Sequence, residues 1–347
     1  MSSWAVRPAM VPVTRRVRAY FAPVNRATET PGGVFDPAKS AGFLLDSPPA
    51  PWLDLGWIDN FQRFCATATE MMRTGAQGAA VGQFRSALDA RIEFSFREWG
   101  KLQMALAGGS EHMNVLAADP NAAAEPSGGT PLFGVGVLAG STASEIILGV
   151  GAVDAFSVGD VIAVDADYQQ QTGYVGTGIA AAYVSDPAAV NHDTNYVRRM
   201  TFNVGRVAEK TTTSLILAQP LLGGAPVAGV NAQKVIAFVD REGGSFFQEW
   251  SGLFIAEEES GGRICFYYPR LSPTTSIAHT IRFNANTGPQ QTSMKVFERE
   301  EVVGVTDPLS AWALHAAFIA LPHTDENDGQ TAVCYRSYFP SGMAAIY

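Results

Sequence analysis

Arg91-Ile92-Glu93-Phe94-Ser95-Phe96-Arg97 is the stretch on which the reading of this chain turns. Ile92, Phe94 and Phe96 lie two apart, with Arg91, Glu93, Ser95 and Arg97 filling the alternate positions. Successive side chains of a strand point to opposite faces, so this spacing predicts a strand with one face in a core and one in water. Immediately downstream the period changes. Trp99, Leu102 and Leu106 fall at i, i+3 and i+7, one face of a short helix over 98–107, and Gly108-Gly109 supplies its stop.

Working upstream, 61–86 is weakly patterned, with Gly75, Gly78 and Gly82 set among small residues, and reads as a long loop or arm. A loop of that length inside a compact domain is usually functional or disordered. Before it, Pro48, Pro49 and Pro51 make a stiff lead-in to Trp52-Leu53-Asp54-Leu55-Gly56-Trp57, and 17–24 is a strand candidate. Working downstream, 108–130 reads as an Ala/Pro/Gly-rich linker. From 131 to 240 Val/Ile pairs and frequent turn signals predict strands at 146–150, 161–164, 200–207, 215–217 and 235–239. A second aromatic region follows. Ile264, Phe266 and Tyr268 alternate in a strand over 263–270, where Pro269 marks its end or an edge. A last strand at 312–321 meets an Asp325-Glu326-Asn327-Asp328-Gly329 turn and a returning partner at 333–339. The expectation is a mainly β chain. Its core is discontinuous, 1–130 with 241–347, around an inserted β-rich region at 131–240.

Composition narrows the function. Only 16% of the 347 residues are charged, against roughly 25% in an average soluble domain, while 47% are hydrophobic. Such a chain is expected to cover part of its exterior with partners. The formal charge of −9 is the wrong sign for gripping phosphate backbones. The best apolar run, 311–321, is broken by His315 and is shorter than the ~20 residues a membrane helix needs, so no membrane insertion is expected. Cys65, Cys265 and Cys334 are scattered without a Cys-x-x-Cys spacing, which predicts neither a zinc site nor a disulfide framework. Arg7, Arg15, Arg16 and Arg18 precede no continuous apolar segment, so no secretory signal is expected and folding in a reducing cytoplasm is.

A search for chemistry assembles no site. There is no Gly-x-Ser-x-Gly, and His112, His192, His279, His315 and His323 are widely spaced. Gly134-Val135-Gly136 with Gly140 lacks the spacing of a dinucleotide loop, and Gly173, Gly176 and Gly178 read as β-region glycines. Asp165-Ala166-Asp167, the 325–329 acidic cluster and His192-Asp193 read as solvated turns. Phe246, Phe247, Trp250, Phe266, Tyr267 and Tyr268 are stacking platforms for sugars or bases, or else packing, and without interleaved basic residues packing is the better reading. No enzyme activity, cofactor or metal is expected.

The order of these features carries a resemblance. Ala19-Tyr20-Phe21-Ala22-Pro23-Val24 leads to Trp52-Leu53-Asp54-Leu55-Gly56-Trp57-Ile58-Asp59. A polar arm follows, then the strand-to-helix block at 90–109 ending Leu102-Gln103-Met104-Ala105-Leu106-Ala107-Gly108-Gly109. With Phe266-Tyr267-Tyr268-Pro269-Arg270 and the closing hairpin at 312–339, this resembles the major tail tube proteins of long-tailed bacteriophages, over about 1–110 and 241–347. The region near 131–240 departs from the shorter members of that family as an insertion.

The resemblance implies a β-sandwich or barrel with a flanking helix, closing into six-membered rings that stack as a hollow virion tube for DNA ejection. The inserted domain projects outward. Its implied partners are copies of itself within and between rings, a tail terminator, and tip or baseplate proteins. DNA passes the lumen without specific binding, and assembly takes place in the bacterial host cytoplasm. On that reading the arm at 61–86 and the strand at 91–97 make subunit contacts through Phe61, Phe64, Met71, Met72, Phe84, Arg91, Glu93 and Arg97. Rival readings are another β-rich shell or decoration protein, and a carbohydrate-binding sandwich using Trp250, Tyr267 and Tyr268.

Overall fold

The computed structural model describes residues 14–25, 27–38, 43–44, 48–74, 78–98, 100–109, 111–117, 134–165, 202–241, 248–259, 261–274, 314–325 and 328–339. Within them the chain is mainly β. The decisive stretch belongs to β3 (Ala79–Phe96), whose Ile92, Phe94 and Phe96 are buried while Arg91 and Glu93 face water. β3 pairs antiparallel with β2 (Leu53–Thr74) on one side and β13 (Leu314–Leu321) on the other. β2 continues to β1 (Thr14–Pro23), and β1 to β11 (Trp250–Glu258). β12 (Arg263–Pro273) then joins both β11 and β13, so six strands run round a closed cycle. Where the cycle closes, neighbouring strands satisfy each other's edges, which removes the hazard of unpaired backbone there. β16 (Tyr335–Phe339) adds to the remaining edge of β12.

Alternation fills the inside of this barrel with rings. Phe94 stacks on Phe318 at 5.9 Å between centroids, Phe21 meets Phe318 edge-on at 5.3 Å, and Phe254 meets Phe94 at 5.6 Å. Such pairs add about 0.5–1.5 kcal/mol each beyond simple burial. Gly252 lies in this wall at close quarters: a Cβ there would sit 2.4 Å from Leu271 Cδ1 and 3.2 Å from the Phe254 ring, so the leucine would have to move to admit it. α1 (Lys101–Gly108) adds Leu106 and Ala107 to the same core, and Gly109 ends it in the left-handed conformation, φ 54°. A second layer lies outside β1, β11 and β12. Tyr20, Leu253, Ile255, Cys265 and Tyr267 point away from the interior into a cluster with Phe35 and Trp52. There the Tyr267 hydroxyl donates to the Gly33 carbonyl at 3.0 Å.

The remaining strands build a second antiparallel sheet. β4 (Glu111–Leu116), β10 (Asn231–Arg241), β7 (Val161–Asp165), β8 (Val204–Lys210), β9 (Ser214–Leu217) and β6 (Glu145–Ile147) follow in that order, with β5 (Val135–Gly136) also on β10. Ile146, Ile162, Val164, Val207, Leu215 and Phe156 form its core. Lys101, at the first position of α1, ties the helix to this sheet. Its Nζ donates to Asn114 Oδ1 at 2.6 Å and lies 4.9 Å from the centre of the Phe238 ring. Burial holds that ammonium's pKa well below the lysine range.

Several expectations change against the observed fold. The linker at 108–130 contains β4, which is drawn into regular structure by pairing with β10; residues 118–133 lie outside the described set. Pro269 does not end its strand. β12 runs on to Pro273 through a register shift against β11, which is where a residue without an N–H is tolerated. The 333–339 segment returns to β12 and not to β13. The 325–329 turn closes its own small hairpin of β14 (His323–Thr324) and β15 (Thr331–Ala332) first. The predicted strand at 146–150 shortens to β6, and that at 200–207 becomes β8, with 200 and 201 outside the described residues.

Candidate assembly surface

The weakly patterned region is ordered as strand. β2 and β3 pair with a third strand only near the barrel: β2 with β1 as far as Ile58, and β3 with β13 from Arg91 onward. From Cys65↔Ala90 through to Thr74↔Ala79 they pair, among the described residues, only with each other. The arm is therefore a two-stranded ribbon, and the loop reading of 61–86 is corrected. Gly78 at φ 60° helps reverse the chain, and Arg73 Nη1 donates to the Gly78 carbonyl at 3.1 Å across the turn. At about 3.3 Å per residue, the ribbon from Cys65 to Thr74 is roughly 30 Å long.

Among the described residues, neither face of this ribbon is covered. Every β2 residue from Phe64 to Thr74 is exposed. Met71, Met72 and Val81 each keep more than half their surface in solvent, at 58%, 57% and 59%, and Phe64 keeps 49%. Strand alternation places Phe64 and Met72 on one face; Met71, with Leu88 opposite Thr67, is on the other. An isolated hairpin is marginal in water, and a ribbon apolar on both faces lacks the layer that would stabilise it.

The eight residues expected at subunit contacts divide. Phe64, Met71 and Met72 stand free on the ribbon. Phe61 does not: a register shift between Asp59 and Gln62 turns it into the barrel, where it stacks on Phe254 at 4.7 Å. It is a core contact. Arg91 and Glu93 are exposed on β3, Arg91 Nη2 lying 3.0 Å from Asp89 Oδ2. Arg97, just past the strand, pairs with Asp59 at 2.6 Å. Both pairs are half in water and worth at most ~1 kcal/mol each. Phe84 is on β3, but its side chain lies outside the described residues. Val81 and Leu88 complete the apolar surface and carry no helical or strand period to announce them, since no core selects their spacing.

Several of the other chemistry-bearing groups make structural contacts. Among the described residues no three His, Cys, Asp or Glu side chains gather as a metal site, and no helix is long and apolar enough to cross a membrane. His315 Nδ1 is 2.7 Å from Ser95 Oγ between neighbouring strands. Asp325 Oδ2 accepts from the Tyr335 hydroxyl at 3.2 Å, and its turn serves the small hairpin. Residues 166–167, 173, 176, 178, 192–193, 246–247 and 279 lie outside the described set.

Cys65 is exposed, Cys265 buried, and Cys334 between the two. Burial pushes the Cys265 thiol up from near 9 to about 12, with Arg263 opposing. A thiol that holds its proton to higher pH folded than unfolded contributes full stability below the unfolded pKa, and that contribution is lost as pH rises toward the folded one. Thermal or urea melts should therefore show stability falling above pH ~9, with this thiol contributing about 1.4 kcal/mol per pH unit. Cys265→Ala, whatever its cost at neutral pH, should flatten the curve between pH ~9 and ~10. An unchanged slope would assign the loss to other groups.

No model of a known protein family matches the chain, and no curated protein shows detectable sequence similarity to it.

Proposed function

We propose that this chain is a self-assembling structural subunit of the tail-tube type. It closes into rings that stack into the tail tube of a bacteriophage or related particle, through which DNA leaves. The observation that carries the proposal is the β2–β3 ribbon, about 30 Å of paired backbone with apolar side chains on both faces and no cover among the described residues. Such a surface is completed by other copies of the same chain.

The barrel supports a conduit made by many copies and not by one. Its interior is filled by Phe21, Phe94, Phe254 and Phe318, so any bore lies between subunits. A head-to-tail contact whose rotation closes gives a ring. The net charge of −9 fits a lumen that DNA passes without adhering, since like charges repel within about a Debye length. On this reading the partners are sister copies, with a terminator and a tip or baseplate protein at the two ends, in a virion assembled in the bacterial cytoplasm. The carbohydrate-binding reading loses its platforms: Trp250, Tyr267 and Tyr268 are buried. A shell or decoration role shares the same need for sister copies and differs in morphology.

The deciding experiment is negative-stain microscopy of purified protein across a concentration series, with mass by light scattering. Rings or tubes are expected. Closed shells would favour the decoration reading, and a monomer persisting at high concentration, with or without an initiator complex, would overturn the proposal.

A further inference from the structure

We propose that Arg63 is the positioning residue of the arm, a clamp at its foot that fixes the direction in which the ribbon leaves the barrel. The purpose assigned to the clamp rests on the assembly reading above; the clamp itself is a matter of geometry. β2 shifts register against β3 between Asp59 and Gln62, and Asn60 takes φ 53° there, a conformation non-glycine residues seldom adopt. The bend falls where the third-strand partners stop, at Ile58 and Arg91. A ribbon emerging from a bend with neither edge paired among the described residues has nothing in that paired backbone to set its angle.

Side chains supply the missing constraint. Phe61 is drawn into the barrel against Phe254. Arg63, two residues further on, is the last half-buried residue of β2 before the fully exposed run. Its Nε donates to the Tyr268 hydroxyl at 2.5 Å and its Nη2 to Cys334 Sγ at 3.5 Å, while its Cζ lies 4.1 Å from the centre of the Phe266 ring. Phe266 and Tyr268 belong to β12, and Cys334 immediately precedes β16. One planar group thus ties the ribbon to two other segments through a phenol, a thiol and a ring face. Burial raises the pKa of both the Tyr268 hydroxyl and the Cys334 thiol, so these partners stay neutral across the physiological range. A guanidinium suits the task because its fork is rigid and its face stacks, whereas an ammonium offers a point contact. Leverage makes the angle matter: a swing of about 10° at the foot moves a tip roughly 30 Å away by about 5 Å, a full spacing between paired strands.

The test is the distance distribution between bio-orthogonal spin labels at Val34, on the layer outside the barrel, and Met72, on the arm, in the full chain below its assembly concentration. The unmodified protein should give one narrow peak. Arg63→Ala should at least double its width while the far-ultraviolet circular dichroism stays unchanged, and Arg63→Lys should fall between. Assembly of Arg63→Ala should need at least tenfold more protein. Should Arg63→Ala fail to fold, Tyr268→Phe, which removes the phenolic acceptor and keeps the ring, should broaden the peak by itself. A width unaffected by Arg63→Ala, or by Tyr268→Phe where that variant is the one measured, overturns the clamp, as does an already broad peak in the unmodified protein. Broadening with unaltered assembly upholds the clamp and removes the assembly role of the arm.

Discussion

A chain in which residues 66–89 are replaced by a two-residue turn is expected to fold normally and to lose assembly. The cut follows the observed register, since Cys65 pairs with Ala90 and rejoining there leaves every barrel pairing in place. Among the described residues, those removed pair only with each other and are exposed apart from the half-buried Gly78 at the turn. Their loss therefore costs the barrel little, and the melting temperature should move by only a few degrees. Assembly is another matter. Met71, Met72, Val81 and Leu88 leave with the ribbon. Burying the exposed part of each in a neighbour is worth on the order of 1 kcal/mol, or roughly 4 kcal/mol per arm. That is close to three decades in an association constant, before the ordering costs of binding are subtracted. A rise of at least 100-fold in the concentration needed for rings or tubes, read by light scattering and microscopy, is the expected result. Normal tubes from the shortened chain would take the arm out of the argument.

The second large effect is on stability. Phe254→Ala should destabilise the fold by about 3–5 kcal/mol in urea titrations, the range for removing a buried aromatic side chain. Phe254 is fully buried and touches the rings of Phe21, Phe61, Phe94 and Tyr268 at 4.7–6.0 Å. Few of these neighbours can collapse into the gap, because they are held on different strands of a closed cycle. Phe254→Leu, which keeps most of the volume, should cost clearly less. Glu93→Ala on the outward side of β3 should stay within ~0.5 kcal/mol of the unmodified protein. Equal losses at Phe254 and Glu93 would mean that the barrel interior is not the core.

What was legible in the sequence follows from what each strand faces. Ile92, Phe94 and Phe96 announced β3 because one of its faces meets the interior and the other meets water. β11 gave no such signal. Leu253 and Ile255 enter the outer layer while Trp250 and Phe254 enter the barrel, so both faces are apolar and alternation disappears. The arm failed in the opposite way. With neither face buried, 64–74 shows no period, and its strand character comes from the partner strand across the ribbon. Phe64, Met71 and Met72 could be picked out as apolar residues in a polar stretch. Phe61 was misjudged because the shift at Asn60 reverses its direction, which only the paired backbone reveals. Arg63 carried no motif at all, since its partners lie about 200 and 270 positions away.

The ribbon is also one uninterrupted span of polypeptide, entering and leaving the barrel through the neighbouring positions Ile58 and Phe96. Its length can change without rewiring any other connection. Because strand side chains alternate, adding one residue to each strand inverts which surface every later side chain presents, whereas adding two restores it. A heritable change in reach therefore comes in even increments, like the teeth of a rack. Odd steps survive only with a compensating irregularity of the kind seen between Ala68 and Thr69.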